Sequence, residues 1–194
     1  MKGFKRKVNL SNKGKPFEEE NARSIAIFAK GWWERIPDVQ DYMGKSCPSC
    51  KAPIAVCSNC GHRLPTIGMM PGKRMADFHG LVEGLYWLLE CKSTQWKNGF
   101  PCMNMKEHQI NSLMKNVMAG GPHNNSVSWV GLCNRSDPHK PIAYYLTIQQ
   151  YCNIGLKKYL IKWSDIEKVA VKRPRLPRSG EPIYDLSFMF YKQE

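Results

Sequence analysis

Acidic side chains are scarce in this chain: 16 Asp and Glu stand against 29 Lys and Arg, leaving a net charge of +13. An excess of that size favours a polyanionic partner, and nucleic acid is the first candidate. Long apolar runs are missing as well. No segment approaches the roughly 20 apolar residues that cross a bilayer, and the opening MKGFKRKVNL has no signal-peptide core. The sequence therefore predicts a soluble, cytoplasmic protein with no membrane partner. Internal repeats are absent. The eight cysteines do not suit a disulfide scaffold, because four are bunched and Cys91, Cys102, Cys133 and Cys152 are scattered singly. Reduced thiols in a cytosolic protein fit that distribution.

A length of 194 residues suits one domain with a small insertion. Residues 1–16 form a basic arm, a phosphate-contacting or simply solvated tail. The folded domain covers 17–194, and a Cys-rich module at 46–63 interrupts it. Phe17 to Lys30 reads as a helix, with acidic residues in its first turn and Gly31 as its stop. Phe17, Ile25, Phe28 and Ala29 supply its buried stripe. Trp32 to Ile36 reads as a short strand closed by Pro37. Asn104 to Ala119 is the clearest helix, with Asn104 and Glu107 as a capping box. Ile110, Leu113, Met114, Val117 and Met118 form its apolar stripe. Strands are expected at Ser126–Cys133, Ala143–Ile148 and Ile183–Tyr191. Ser164 is expected to cap a short helical turn, and Lys172–Arg178 to be a basic, Pro-broken loop. This order predicts an α/β fold with a mixed central sheet.

The chemistry centres on MADFHGLVEGLYWLLECK, residues 75–92. With Glu83-Gly84 as a two-residue turn, a β-hairpin puts Val82 opposite Leu85, His79 opposite Leu88 and Asp77 opposite Glu90. Lys92 follows Glu90 by two residues and shares its face. Facing carboxylates repel, unless a hard divalent cation such as Mg²⁺ lies between them. Asp77 followed by Glu90-x-Lys92 thus reads as a metal-dependent phosphodiesterase site. A solvated strand face is the alternative. Leu85, Trp87, Leu88 and Leu89 argue against it, because a strand apolar on both faces belongs inside a sheet. Cys91 points the other way and reads as a core residue rather than a nucleophile.

Cys47-x-x-Cys50 and Cys57-x-x-Cys60 have the spacing of a compact tetrahedral Cys₄ zinc site, closed and hence structural. A redox dithiol pair and an iron–sulfur site are the alternatives. The cations around this module, Lys51 and Arg63, make it a candidate DNA-contacting projection or a stapled surface insertion. Lys13, Lys15, Lys73, Arg74, Lys172, Arg173 and Arg175 complete the candidate nucleic-acid contacts.

These residues resemble the PD-(D/E)XK nuclease superfamily, and within it the Holliday junction resolvases of the RecU and Hjc types. Gly14-Lys15-Pro16-Phe17-Glu18 is similar to that family's G-x-x-F-E. Asp77-Phe78-His79-Gly80 is similar to its D-x-x-G, and Glu90-Cys91-Lys92 to its E-x-K. Phe100 with Glu107-His108-Gln109-Ile110 is similar to the phenylalanine and E-H-Q-I that open its next helix. The resemblance implies a restriction-endonuclease-like mixed sheet flanked by helices, carrying a small zinc-ribbon insertion. It implies Mg²⁺ or Mn²⁺ held by Asp77, Glu90, the Cys91 carbonyl and Glu18, with Lys92 and Gln109 completing the catalytic set. It also implies a homodimer that nicks four-way DNA junctions in symmetric pairs. The alternatives are another endonuclease of this superfamily acting on flaps or damaged duplex, and a non-enzymatic zinc-ribbon nucleic-acid-binding protein.

Overall fold

Glu83 and Gly84 both take positive φ, 51° and 78°, as a two-residue type I′ hairpin turn requires. The turn sets the register of the strands it joins, with Val82 opposite Leu85 and His79 opposite Leu88. That is the pairing expected from the sequence. A computed structural model describes residues 15–36, 76–120, 126–178 and 181–190. The N-terminal arm up to residue 14 and the Cys-rich module lie outside them.

The chain opens with helix α1 (Lys15–Phe28), followed by β1 (Trp32–Arg35), then the hairpin strands β2 (Phe78–Val82) and β3 (Leu85–Thr94). Next come β4 (Gly99–Pro101), a 3₁₀ turn (Cys102–Asn104), α2 (Glu107–Ala119), β5 (Ser126–Asn134), β6 (Ile142–Thr147) and α3 (Ile148–Gly155). The remainder is β7 (Leu160–Lys162), α4 (Trp163–Glu167), β8 (Val171–Pro174), β9 (Leu176–Arg178), β10 (Glu181–Ile183) and α5 (Ser187–Phe190). Six strands form one sheet in the order β1-β2-β3-β5-β6-β8. The β3–β5 pair is parallel, and the other pairs are antiparallel. A parallel pair needs a crossover, and α2 supplies it.

Helices cover both faces of this sheet. On one face Leu88, Val130, Leu132, Tyr144 and Leu146 pack with Leu113 of α2 and with Ile148 and Tyr151 of α3. On the other face Trp87, Leu89, Cys91, Cys133 and Tyr145 pack under Phe17 and Ile25 of α1 and the C-terminal Tyr184, Leu186, Met189 and Phe190. The result is a mixed α/β sheet flanked by helices, compatible with a restriction-endonuclease-like fold as the sequence predicts. β3 lies inside the sheet, and its residues 87–91 are buried. Polar contacts pin α1 in place: Tyr145 donates to Asn21 Oδ1 (2.7 Å), and Glu20 Oε2 accepts from Arg135 Nη2 (2.6 Å) and from the Tyr184 hydroxyl (3.2 Å).

Several local expectations are corrected. Asn104 ends the 3₁₀ turn, and the N-cap of α2 is Lys106, whose amide donates to Gln109 Oε1 (3.1 Å). Met118 is 76% exposed and leaves the apolar stripe. Ser164 lies inside α4, which Lys162 precedes as N-cap. Lys172–Arg178 is not a loop: β8 takes the sheet's edge, and an edge strand accommodates Pro174. The C-terminal strand stops at Ile183, and α5 begins at Ser187. Helix α3 was not expected, although Thr147 and Gln150 form a capping box at its start.

Candidate active site

Asp77 sits immediately before β2. Its backbone carbonyl accepts from Ile36 N (2.9 Å), and its amide donates to Leu89 O (3.1 Å). It is therefore clamped between both neighbouring segments. Ala76 packs in the α2-side core and Phe78 in the α1-side core. Residues two apart share a face in a regular strand, so the alternation breaks at Asp77. Its carboxylate reaches the backbone of β3, where Oδ2 accepts from Cys91 N at 2.7 Å.

Glu90 belongs to β3 and pairs by register with Val130 of β5. Extending the Phe78–Leu89 pairing by one residue brings Asp77 beside Glu90. Both are buried, at 1% and 0% exposure. A buried carboxylate is costly unless donors or cations face it. Glu90 Oε1 receives two donors: the Lys92 ammonium, and Gln109 Nε2 at 2.5 Å. Gln109 comes from the first turn of α2. Its oxygen is taken by the Lys106 amide, so its nitrogen must face Glu90. The sequence reading has Gln109 positioning Lys92 or the phosphate; in the structure its side-chain partner is Glu90.

Burial alone would lower the Lys92 pKa. The Glu90 and Asp77 carboxylates outweigh it, so the pKa is raised. Lys92 is therefore a stable cation through neutral and mildly alkaline pH. The Cys91 side chain points into the opposite core, and burial pushes its thiol well up, with Asp77, Glu18 and Glu90 adding to the effect. A thiol held neutral is a poor nucleophile, as the sequence predicts for this residue.

Gly80 completes the D-x-x-G segment for a steric reason. A Cβ there would lie 2.6 Å from both the Trp32 carbonyl oxygen and Trp87 Cζ2. His79 shares a hydrogen bond between Nδ1 and the Tyr86 hydroxyl (2.9 Å) and stands edge-on to Trp32.

The structure thus brings Asp77, Glu90, Lys92 and Gln109 together. Glu18 lies in α1 and accepts from Arg35 Nη2 at 2.6 Å, and its charge is felt at the Cys91 thiol. Among the described residues no group of three or more His, Cys, Asp and Glu side chains is gathered closely enough to hold a metal. Lys172 pairs with Glu167 (2.7 Å), Arg173 donates to Asp185 O (3.1 Å), and Arg175 reaches Glu20 (3.4 Å). These three cations sit on or beside the edge strand β8, separated from β3 by β5 and β6. Lys15 opens α1. Lys13, Lys51, Arg63, Lys73, Arg74 and the four cysteines of the C-x-x-C pairs lie outside the described residues. Sequence reasoning missed a cleft next to Lys92, lined by Pro16, Ser93, Thr94, Gln95, Trp96, Asn104 and Arg135. Its parts are far apart in the chain, and only the polar run after Glu90-Cys91-Lys92 signals it.

Apposed carboxylates followed by a lysine two residues on, carried on a helix-flanked mixed sheet, are the arrangement expected from the resemblance to PD-(D/E)XK nucleases. Residues 52–124 match the model of a Holliday junction resolvase family described as RecU: Recombination protein U. The matched span contains Asp77, Glu90, Lys92 and Gln109, and it excludes Glu18, Cys47 and Cys50. No curated protein matches the chain. Among the described residues no helix is long and apolar enough to cross a membrane.

Proposed function

We propose that this protein is a Mg²⁺- or Mn²⁺-dependent endonuclease that resolves four-way DNA junctions by paired, symmetric phosphodiester cleavage. The observation that carries this reading is the convergence of Asp77, Glu90 and Lys92 at one end of β2 and β3, within the span similar to the resolvase family.

The donor set fits the ion. Mg²⁺ takes oxygen ligands and is commonly held by only one or two carboxylates, with water and substrate phosphate filling the rest. Asp77 and Glu90 supply those carboxylates, and the Cys91 carbonyl supplies a third oxygen. Glu18 is the further ligand that α1 offers, direct or through water. Two carboxylates suffice, so the lack of a closer acidic trio among the described residues is compatible with this ion. When bound, the metal supplies charge neutralisation at the phosphate and a more acidic water. The protein's own groups do the positioning. Gln109 orients Glu90, and the Lys92 ammonium orients the attacking water or stabilises the negative charge that builds on the phosphate. Cys47, Cys50, Cys57 and Cys60 hold a structural Zn²⁺. Two identical sites are needed to nick opposed strands, so the working form is a homodimer. With a net charge of +13, DNA binding should weaken steeply with added salt.

The test is incubation with Mg²⁺ and end-labelled four-way, flap and linear DNA. Paired symmetric nicks in the four-way substrate are expected. Preferential cutting of flaps would point to another endonuclease of this class, and DNA binding without cleavage in Mg²⁺ or Mn²⁺ to a binding protein. Asp77→Asn and Glu90→Gln should each abolish cleavage and preserve binding. Elemental analysis of reduced protein should find about one zinc per chain.

A further inference from the structure

Past Lys92, strand β3 continues through Ser93 and Thr94 into the loop Gln95-Trp96. These four residues, with Pro16, Asn104 and Arg135, line an open cleft of about 580 Å³. That volume lies in the range of small-ligand sites. Ser93 is the residue after Lys92, so the cleft's lining begins one residue, about 3.3 Å of backbone, beyond Lys92. Its lining holds one guanidinium and no carboxylate. Arg135 is fixed there by Glu20.

Trp96 is the one aromatic residue in the cleft's lining. Its side chain leaves the residue 51% exposed, while its backbone is tethered at both ends of the peptide unit. Its amide donates to Thr94 Oγ1 (3.2 Å), and its carbonyl accepts from Trp163 Nε1 (3.0 Å). An indole on a fixed backbone offers a stacking face at little ordering cost. Every base has a π-face, so stacking on an aromatic ring binds an unpaired nucleotide without reading its sequence. In a continuous duplex each base is already stacked above and below. The platform therefore favours DNA in which a base has lost one neighbour, as at a branch.

We propose that this cleft receives the nucleotide next to the scissile phosphate, with its base stacked on Trp96 and its phosphate facing Arg135. The proposal rests on the endonuclease reading and adds a source of branch selectivity beside the chemical site.

The test uses full-length protein in EDTA, so that binding is read without cleavage. 2-Aminopurine is placed in turn at each position flanking the mapped cut in a four-way junction. Stacking should quench one position with wild type and with Trp96→Phe, and not with Trp96→Ala. Trp96→Ala should weaken junction binding about 5- to 150-fold and leave linear-duplex binding unchanged. Met118→Ala, at an exposed position of α2, should change neither. Thermal melting of Trp96→Ala checks that the fold survives loss of this exposed ring. Equal junction affinities for wild type and Trp96→Ala, with Mg²⁺-dependent cleavage intact, overturn the proposal and leave the endonuclease reading standing. Wild type that binds every DNA but cuts none overturns the reading and the proposal with it. Dissociation of Trp96→Ala into monomers without DNA, seen by sedimentation, assigns the indole to a subunit contact and also overturns the proposal.

Discussion

Gln109 holds Glu90 from the neighbouring layer of the fold, donating from Nε2 to Oε1 at 2.5 Å while its own oxygen caps α2. One side chain thus ties the start of a helix to the carboxylate in the central strand. Gln109→Ala removes both links. Groups that orient a metal ligand are commonly worth 10- to 100-fold in activity, so single-turnover cleavage should slow about that much. Loss of the cap should also cost about 1 kcal/mol of stability, read by urea unfolding. An unchanged cleavage rate at a lowered stability would make Gln109 a helix cap only.

Lys92 forms an ion pair with the buried Glu90 carboxylate. Lys92→Met leaves the buried carboxylates without that cation, so the apo form should lose about 1–3 kcal/mol. The ammonium also opposes a second cation at the same oxygen. Its removal should therefore tighten Mg²⁺ binding, and Mg²⁺ should raise the melting temperature of the variant more than that of wild type. Cleavage should nonetheless be lost. Calorimetric titration of both proteins checks this, and weaker Mg²⁺ binding by Lys92→Met would count against a shared site.

The hairpin was legible because its determinants are local. A two-residue turn sets the register, and period-two alternation then assigns each side chain to a face. That Glu90 and Lys92 share a face follows from the alternation along β3, whereas the contact of Gln109 with Glu90 depends on how α2 packs against the sheet. The break in alternation at Asp77 was not legible, since it depends on where Ala76 and Phe78 pack in two different cores. The edge role of β8 was hidden for a similar reason. Pro174, with Pro177 three residues on, suggests a loop, and only the sheet order shows that one side of the strand needs no partner. The cleft beside Trp96 was out of reach because residues 16, 93–96, 104 and 135 meet only after folding.

Gly80 tests whether the D-x-x-G segment is sterically dictated. The methyl of Gly80→Ala would collide with the Trp32 carbonyl and the Trp87 ring, and neither is the loose end of a flexible chain. Overpacking of this kind costs about 1–3 kcal/mol. The urea midpoint should fall with an unchanged slope. A midpoint equal to wild type would mean that β1 and Trp87 have room to move apart.

Asp185 gives the fold an acid-sensitive contact. Its Oδ1 accepts from Ser187 N (3.0 Å) and Ser187 Oγ (2.7 Å), opening α5. These hydrogen bonds, with Arg173 nearby, hold its pKa below the usual 3.8. A carboxylate whose folded pKa is depressed contributes stability that is complete above the unfolded value and fades as pH falls through the folded one. Asp185→Ala should therefore be less stable than wild type by about 0.5–2 kcal/mol at neutral pH. The gap should persist down to 3.8 and narrow below it, as wild-type Asp185 takes up its proton. Urea unfolding of both proteins across an acid series measures the gap. A gap that widens with acid would mean that the carboxylate gains nothing from Ser187.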